Sequence, residues 1–222
     1  MTSVLFIHHS IGRQIIGGGL RAELQSGSES LVLWDHDYNE IGLTDPAGNR
    51  VGRSFPIPDD DTDPRGLLTV LEGLAGAATW DVPEHDVLVA KSCFPNNSLR
   101  SDGQVAELRK TYEAMRSAAL ELPQTVLLLS SPPLVVESTG GTERRRAEEV
   151  ARWLDTRWCG PGLAYGNLFA ALSYRSGPFT GALRTAYRAR RPRDSHLSAA
   201  GSRIGARFVA EAIRRVRAVP AA

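Results

Sequence analysis

The chain has 222 residues, enough for one sizeable α/β domain spanning 1–222 without a second core. Its 26 basic and 25 acidic residues leave a formal net charge of +1, which argues against a nucleic-acid binder working by phosphate neutralisation. Hydrophobic residues at 42% and charged residues at 23% are ordinary for a soluble protein, and only Cys93 and Cys159 are cysteines, so no disulfide framework is implied. A cytoplasmic compartment fits. The N-terminal apolar run is confined to residues 4–7, has no basic residue before it and is followed by two histidines, unlike a secretory signal. No stretch approaches the ~18 apolar residues of a membrane span.

Residues 4–8 read as a buried strand, short and apolar, running into His8-His9-Ser10-Ile11-Gly12. Residues 14–24 carry a helical pattern weakened by Gly17-Gly18-Gly19. Residues 31–34 form a second strand, ended by the polar run Asp35-His36-Asp37-Tyr38-Asn39. A loop rich in Gly, Pro and Asp covers 42–64, and 65–78 is helical, with Leu67, Leu68, Leu71 and Leu74 on one face. A third strand at 86–90 stops at Lys91-Ser92-Cys93-Phe94-Pro95-Asn96-Asn97. A long amphipathic helix follows at 101–122, a fourth strand at 125–129, and a helix at 142–158 with Thr142 as its cap. A fifth strand is expected at 163–168, and a last helix at 198–216 capped by Ser198.

Apolar strands alternating with helices imply a parallel sheet covered on both faces. Ligands bind such sheets at the carboxyl ends of the strands. The polar segments after the first three strands fall there: Ser10, residues 39–42, and Asn96 with Asn97.

A serine at a strand end, with Gly12 allowing a tight turn, can serve as a nucleophile or as a helix cap. Asp194 and His196, two residues apart ahead of a helix, suit an oriented general base or an ordinary surface loop. The Asn96 and Asn97 amides are neutral donors fit for an oxyanion, or for a turn. Gly17-Gly18-Gly19-Leu20-Arg21-Ala22 matches G-x-G-x-x-A but stands about eight residues beyond the strand, where the dinucleotide fingerprint requires glycine at once. Cys93 with His196 is a conceivable thiol pair, and also a small core residue. Asp59-Asp60-Asp61-Thr62-Asp63 lacks the glycine and distal glutamate of a calcium loop and reads as a solvated acidic loop. Arg184, Arg188, Arg190, Arg191 and Arg193 read as a solvated face beside the proposed base, with recognition of an anionic substrate as the other reading.

Ser10, Gly42, Asn96 or Asn97, Asp194 and His196, in that order, resemble the SGNH (GDSL-like) hydrolase superfamily. His-His-Ser-x-Gly at 8–12 and Lys-Ser-Cys-Phe-Pro-Asn at 91–96 resemble one variant of it. The resemblance implies a three-layer α/β/α, flavodoxin-like fold with a five-stranded parallel sheet. It implies catalytic Ser10, His196 and Asp194, and an oxyanion hole from Ser10, Gly42, Asn96 and Asn97. His9 and Asn39 would contact a small ester, with no cofactor, metal, nucleic acid or membrane involved. His8-His9-Ser10 replaces the usual Gly-Asp-Ser, and Asp-x-His replaces the usual Asp-x-x-His. The shortened spacing is also similar to that of O-acetyltransferases in the superfamily, so acyl transfer stands beside hydrolysis. A binding domain that kept the fold without the chemistry is a further alternative.

Overall fold

Strands buried on both faces carry apolar residues at every position, and the alternation of the pleat sends neighbours to opposite sides. In β1 (Thr2–His8), Leu5 and Ile7 enter one apolar cluster while Val4 and Phe6 enter the other. A computed structural model describes residues 1–27, 31–37, 41–52, 63–75 and 85–217. Within them the sheet joins β1 to β2 (Leu31–Asp37), β3 (Gly42–Thr44), β4 (Val87–Lys91), β5 (Thr125–Leu129) and β6 (Leu163–Gly166), in the order β3-β2-β1-β4-β5-β6. All neighbours are parallel except β3, which runs antiparallel to β2.

Helices α3 (Pro64–Ala75), α4 (Asp102–Leu120) and α5 (Gly141–Arg157) cover the first face, supplying Leu71, Met115 and Leu154. Helices α1 (Ile11–Gly17), α2 (Leu20–Gln25), α6 (Leu168–Leu172) and α7 (Ala199–Arg217) cover the second, supplying Ile15, Leu24, Leu172 and Val209. The three layers are therefore as expected. Because β2 and β4 lie on opposite sides of β1, the chain reverses its winding direction there. The crevice between the carboxyl ends of β1 and β4 is the topological switch point, the place where open α/β sheets bind ligands.

Four expectations are corrected. The sheet has six strands, not five parallel ones, because Gly42–Thr44 pairs with the edge of β2 rather than opening a loop. Three residues are too few to show a strand period. The polar run after residue 34 belongs partly to β2, whose Asp35, His36 and Asp37 are buried. The helix expected at 14–24 is two helices, α1 and α2, broken where Gly19 takes φ 106°. Gly18 there packs so tightly on α7 that a Cβ would meet the Ser202 carbonyl at 2.4 Å, so the glycine run serves helix packing. Finally, Gly140 rather than Thr142 caps α5, its N–H donating to Glu143 Oε2 at 2.9 Å.

Most helix ends follow the expected chemistry. Ser101 and Gln104 form a reciprocal capping box on α4. Ser198 Oγ accepts from Gly201 N–H at 3.2 Å at the start of α7. The fifth strand stops at Gly166, and Asn167 caps α6 by accepting from Ala170 N–H at 2.9 Å. No helix of the described residues is long and apolar enough to cross a membrane. Asn39 and residues 59–62 lie outside the described residues.

Candidate active site

Ser10 sits at the switch point, between β1 and α1. Its backbone is at φ 21°, ψ −78°, a sparsely populated region for a side-chain-bearing residue. Gly12, expected to permit the turn, has a different duty. It lies in α1 pressed against β1, where a Cβ would fall 2.2 Å from His8 Cβ. The strain falls on the serine, and the glycine makes room for it.

Asp194 and His196 stand on a tight loop leading into α7. Arg188 and Leu197 form an antiparallel bridge, and Ala189 N–H donates to His196 O at 2.7 Å. Asp194 Oδ1 accepts from the His196 backbone N–H at 2.9 Å and meets the ring Nδ1 at 2.6 Å. The backbone N–H, joined by the ring and by the charges of His196 and Arg191, holds the Asp194 carboxyl below the usual carboxylate range despite some burial. An ionised carboxylate only accepts, so Nδ1 carries the proton and Nε2 is left as the base. Phe94 and the imidazole pack nearly perpendicular to each other, with ring centres 5.3 Å apart.

Two contacts far apart in sequence bind this loop to the rest of the site. Leu197 N–H donates to Gln14 Oε1 at 2.8 Å, coupling the dyad loop to the helix that follows Ser10. Val135 N–H donates to the buried Ser195 Oγ at 3.1 Å, coupling it to the segment after β5. Among the described residues no hydrogen bond joins Ser10 Oγ to the His196 ring. The hydroxyl instead faces Cys93 Sγ at 3.9 Å.

Gly42 lies at the carboxyl end of β2, opposite Asp37, with φ 78°. Asn96 and Asn97 sit in a 3-10 turn, Phe94–Asn97, after β4. Asn97 is buried and spends both amide hydrogens, on Ser131 O at 3.0 Å and Pro132 O at 2.7 Å. Asn96 is half-buried and donates to the Cys93 carbonyl at 3.1 Å within its own turn. His9 is half-buried beside Ser10, its Nδ1 3.9 Å from Cys93 Sγ.

Sequence reasoning missed a buried polar layer beneath the serine. His8 Nε2 meets Asp35 Oδ2 at 3.1 Å, Arg21 pairs with the other Asp35 oxygen, and Arg13 Nε donates to Asp37 Oδ2 at 2.6 Å. Burial pushes the His8 and His36 rings down, His36 to about 4, against the pull of the neighbouring aspartates. Lys91, at the end of β4, is also fully buried. Of the five loop arginines, Arg188 pairs with Glu137 at 2.5 Å and Arg184 bonds Ser173 O at 2.9 Å. No cluster of three or more His, Cys, Asp or Glu side chains that would hold a metal occurs among the described residues.

The structure thus sets a strained serine at the switch point and an Asp–His dyad on a loop tied to the helix that follows it. No protein-family model matches the sequence, and no curated protein matches it. Solved structures share the fold. A candidate SGNH hydrolase from Slackia heliotrinireducens aligns at TM-score 0.52 and 14% identity, over 96% of this chain and 98% of that one. The M. smegmatis aryl esterase aligns at TM-score 0.52 and 11% identity, over 97% and 99%. The catalytic domain of Streptococcus pneumoniae peptidoglycan O-acetyltransferase A aligns at TM-score 0.54 and 8% identity, over 99% and 96%. The chain is similar to these proteins in fold, a mostly parallel sheet flanked by helices.

Proposed function

We propose that the chain is an SGNH-type serine esterase or acyl hydrolase acting on a small ester in the cytoplasm, such as an O-acetyl group on a sugar or small metabolite. The observation that carries this is the Asp194–His196 pair at 2.6 Å, tied through Leu197 and Gln14 to the helix that follows Ser10. In this reading Ser10 Oγ attacks the ester carbonyl while His196 Nε2 takes its proton. Asp194 stabilises the imidazolium, which then protonates the leaving alcohol. The oxyanion accepts from the Ser10 and Gly42 backbone N–H groups and an asparagine amide. Asn96 is the better donor, since Asn97 is engaged with Ser131 and Pro132. The resemblance also implies His9 and Asn39 as substrate contacts, and water releases the acyl group. For the first step Ser10 Oγ must leave Cys93 and meet His196, a tightening that catalytic hydrogen bonds commonly make on substrate binding.

Labelling by a fluorophosphonate probe, with turnover of p-nitrophenyl acetate, tests this reading. Ser10→Ala should lose the label and several orders of magnitude in rate. A near-normal rate in that variant excludes Ser10 as nucleophile, and a folded wild-type chain that takes no label is a binding domain instead. Acyl transfer is the second reading, favoured by the short Asp194-x-His196 spacing and by the fold shared with the O-acetyltransferase. Partitioning of the acyl-enzyme between water and added alcohols separates the two.

A further inference from the structure

Directly behind the Ser10 hydroxyl lies a group that the proposed chemistry does not use. Cys93 Sγ is 3.9 Å from Ser10 Oγ, 3.9 Å from His9 Nδ1 and 3.9 Å from Lys91 Nζ. Lys91 is fully buried, and its amino group also donates to Ser92 O at 3.1 Å. Among the described residues no carboxylate pairs with it. A buried ammonium is costly without a counter-charge. The Cys93 sulfur is an ionisable acid within its reach, at 3.9 Å. Burial pushes the thiol up, but the Lys91 charge and hydrogen bonds to His9 and Ser10 outweigh it and bring it down to about 7. Thiols in that range are substantially ionised at neutral pH, and the thiolate is the reactive form.

The surroundings of the sulfur determine what its modification would do. Cys93 is 1% exposed, and Ser10 and His9 beside it are half-buried. To cap it, a small reagent would approach the sulfur past these two residues. A cap on sulfur forms a bond of about 2 Å and carries further atoms beyond it. With Ser10, His9 and Lys91 already at 3.9 Å, those atoms displace the serine side chain or stand in its path to the substrate.

We propose that Cys93 is a reactive thiolate, paired with Lys91 behind the Ser10 hydroxyl, whose capping by a small disulfide-forming reagent closes the serine site reversibly. The closure rests on the reading of Ser10 as nucleophile; the reactivity of the thiol does not. With methyl methanethiosulfonate, the thiolate attacks the sulfenyl sulfur. A mixed methyl disulfide forms, the bond to the sulfonyl sulfur breaks, and methanesulfinate leaves with the electron pair. Dithiothreitol reverses the cap by two exchanges, releasing methanethiol and restoring Cys93 as it closes to its own cyclic disulfide.

The test uses the full chain carrying Cys159→Ser, so that one thiol remains. Methyl methanethiosulfonate at neutral pH should add one methylthio group to Cys93, read by mass spectrometry. Fluorophosphonate labelling of Ser10 should fall in step and return with dithiothreitol. In the same background Lys91→Met should slow the capping by about tenfold or more. Lys91→Gln serves if that variant does not fold. Adding Cys93→Ser to that background should leave no capping, and its Ser10 labelling should be the same before and after treatment. A Cys93 that stays unmodified in folded protein, a full cap with undiminished labelling, or a Lys91 variant that reacts at the parent rate overturns the proposal. Untreated protein that takes no label removes the serine-hydrolase reading and the closure with it, while the mass readout still decides whether the thiolate is reactive.

Discussion

Asp194→Asn removes a charge from the site while keeping its shape. The side chain accepts two hydrogen bonds on Oδ1, at 2.9 Å from the backbone and 2.6 Å from the ring. An asparagine oxygen can still accept both, so the loop should keep its form. What is lost is attraction to the imidazolium that forms as Ser10 gives up its proton. For charge centres roughly 4 Å apart, the interaction is about 4 kcal/mol at an effective dielectric of 20 and about 2 kcal/mol at 40. The His196 side chain is 36% exposed and that of Asp194 23%, so water screens the pair and the lower part of that range applies to much of it. At about 1.4 kcal/mol per tenfold, kcat/KM for p-nitrophenyl acetate should fall roughly 30- to 1000-fold, chiefly in kcat. The assay pairs that measurement with the rate of fluorophosphonate labelling, which draws on the same base, and with circular dichroism. A folded Asp194→Asn protein within about threefold of wild type by both rates would refute the assignment of this dyad.

Four further outcomes separate the roles of other residues. Asn96→Ala should cost about 10²–10³ in rate with little change in Tm, as for a lost oxyanion donor. Asn97→Ala should lower Tm first, because it leaves the Ser131 and Pro132 carbonyls without a buried donor, and thermal melts beside kinetics reveal which pattern each variant follows. Gly12→Ala places a methyl 2.2 Å from His8 Cβ and should destabilise by about 1–3 kcal/mol in urea unfolding, whereas a gain would show that α1 can lift from β1 without cost. Because His36 is held near 4 when folded and titrates near 6.5 when unfolded, the unfolded chain binds more protons between those values. Stability should therefore fall as pH drops from 6.5 toward 4, by on the order of 3 kcal/mol from this group, and His36→Leu should flatten that slope; an unchanged slope would mean that the ring charges without penalty.

The residues that sequence reasoning placed correctly share a property, and so do those it misplaced. Strands β1, β4 and β5 are covered on both faces, so their apolar runs are visible in any window of the chain. β3 was invisible because an edge pairing of three residues carries no period. In the sequence the second strand ends at residue 34, because Asp35, His36 and Asp37 are polar. They are buried only because His8, Arg21 and Arg13 come from other elements to meet them. The same holds in the site. Ser10, Asp194 and His196 were picked out by residue type and order. That the strained backbone belongs to Ser10 and not to Gly12 depends on how closely α1 lies on β1. The difference between Asn96 and Asn97 depends on carbonyls more than thirty residues away, at Ser131 and Pro132.

By itself the sequence determined the alternation of strands and helices, the polar segments that end the strands, and the residue types available for chemistry. Those follow from local periodicity, capping and turn preferences, which act over a few residues. Only the tertiary structure decided which polar segments meet. It brought residues 10 and 93 within 3.9 Å across the switch point and bonded Gln14 to Leu197 across the length of the chain. It also buried Lys91 beside a thiol. Such pairings depend on strand order and on the desolvation of charges that the fold encloses, and neither is written in any short stretch of residues.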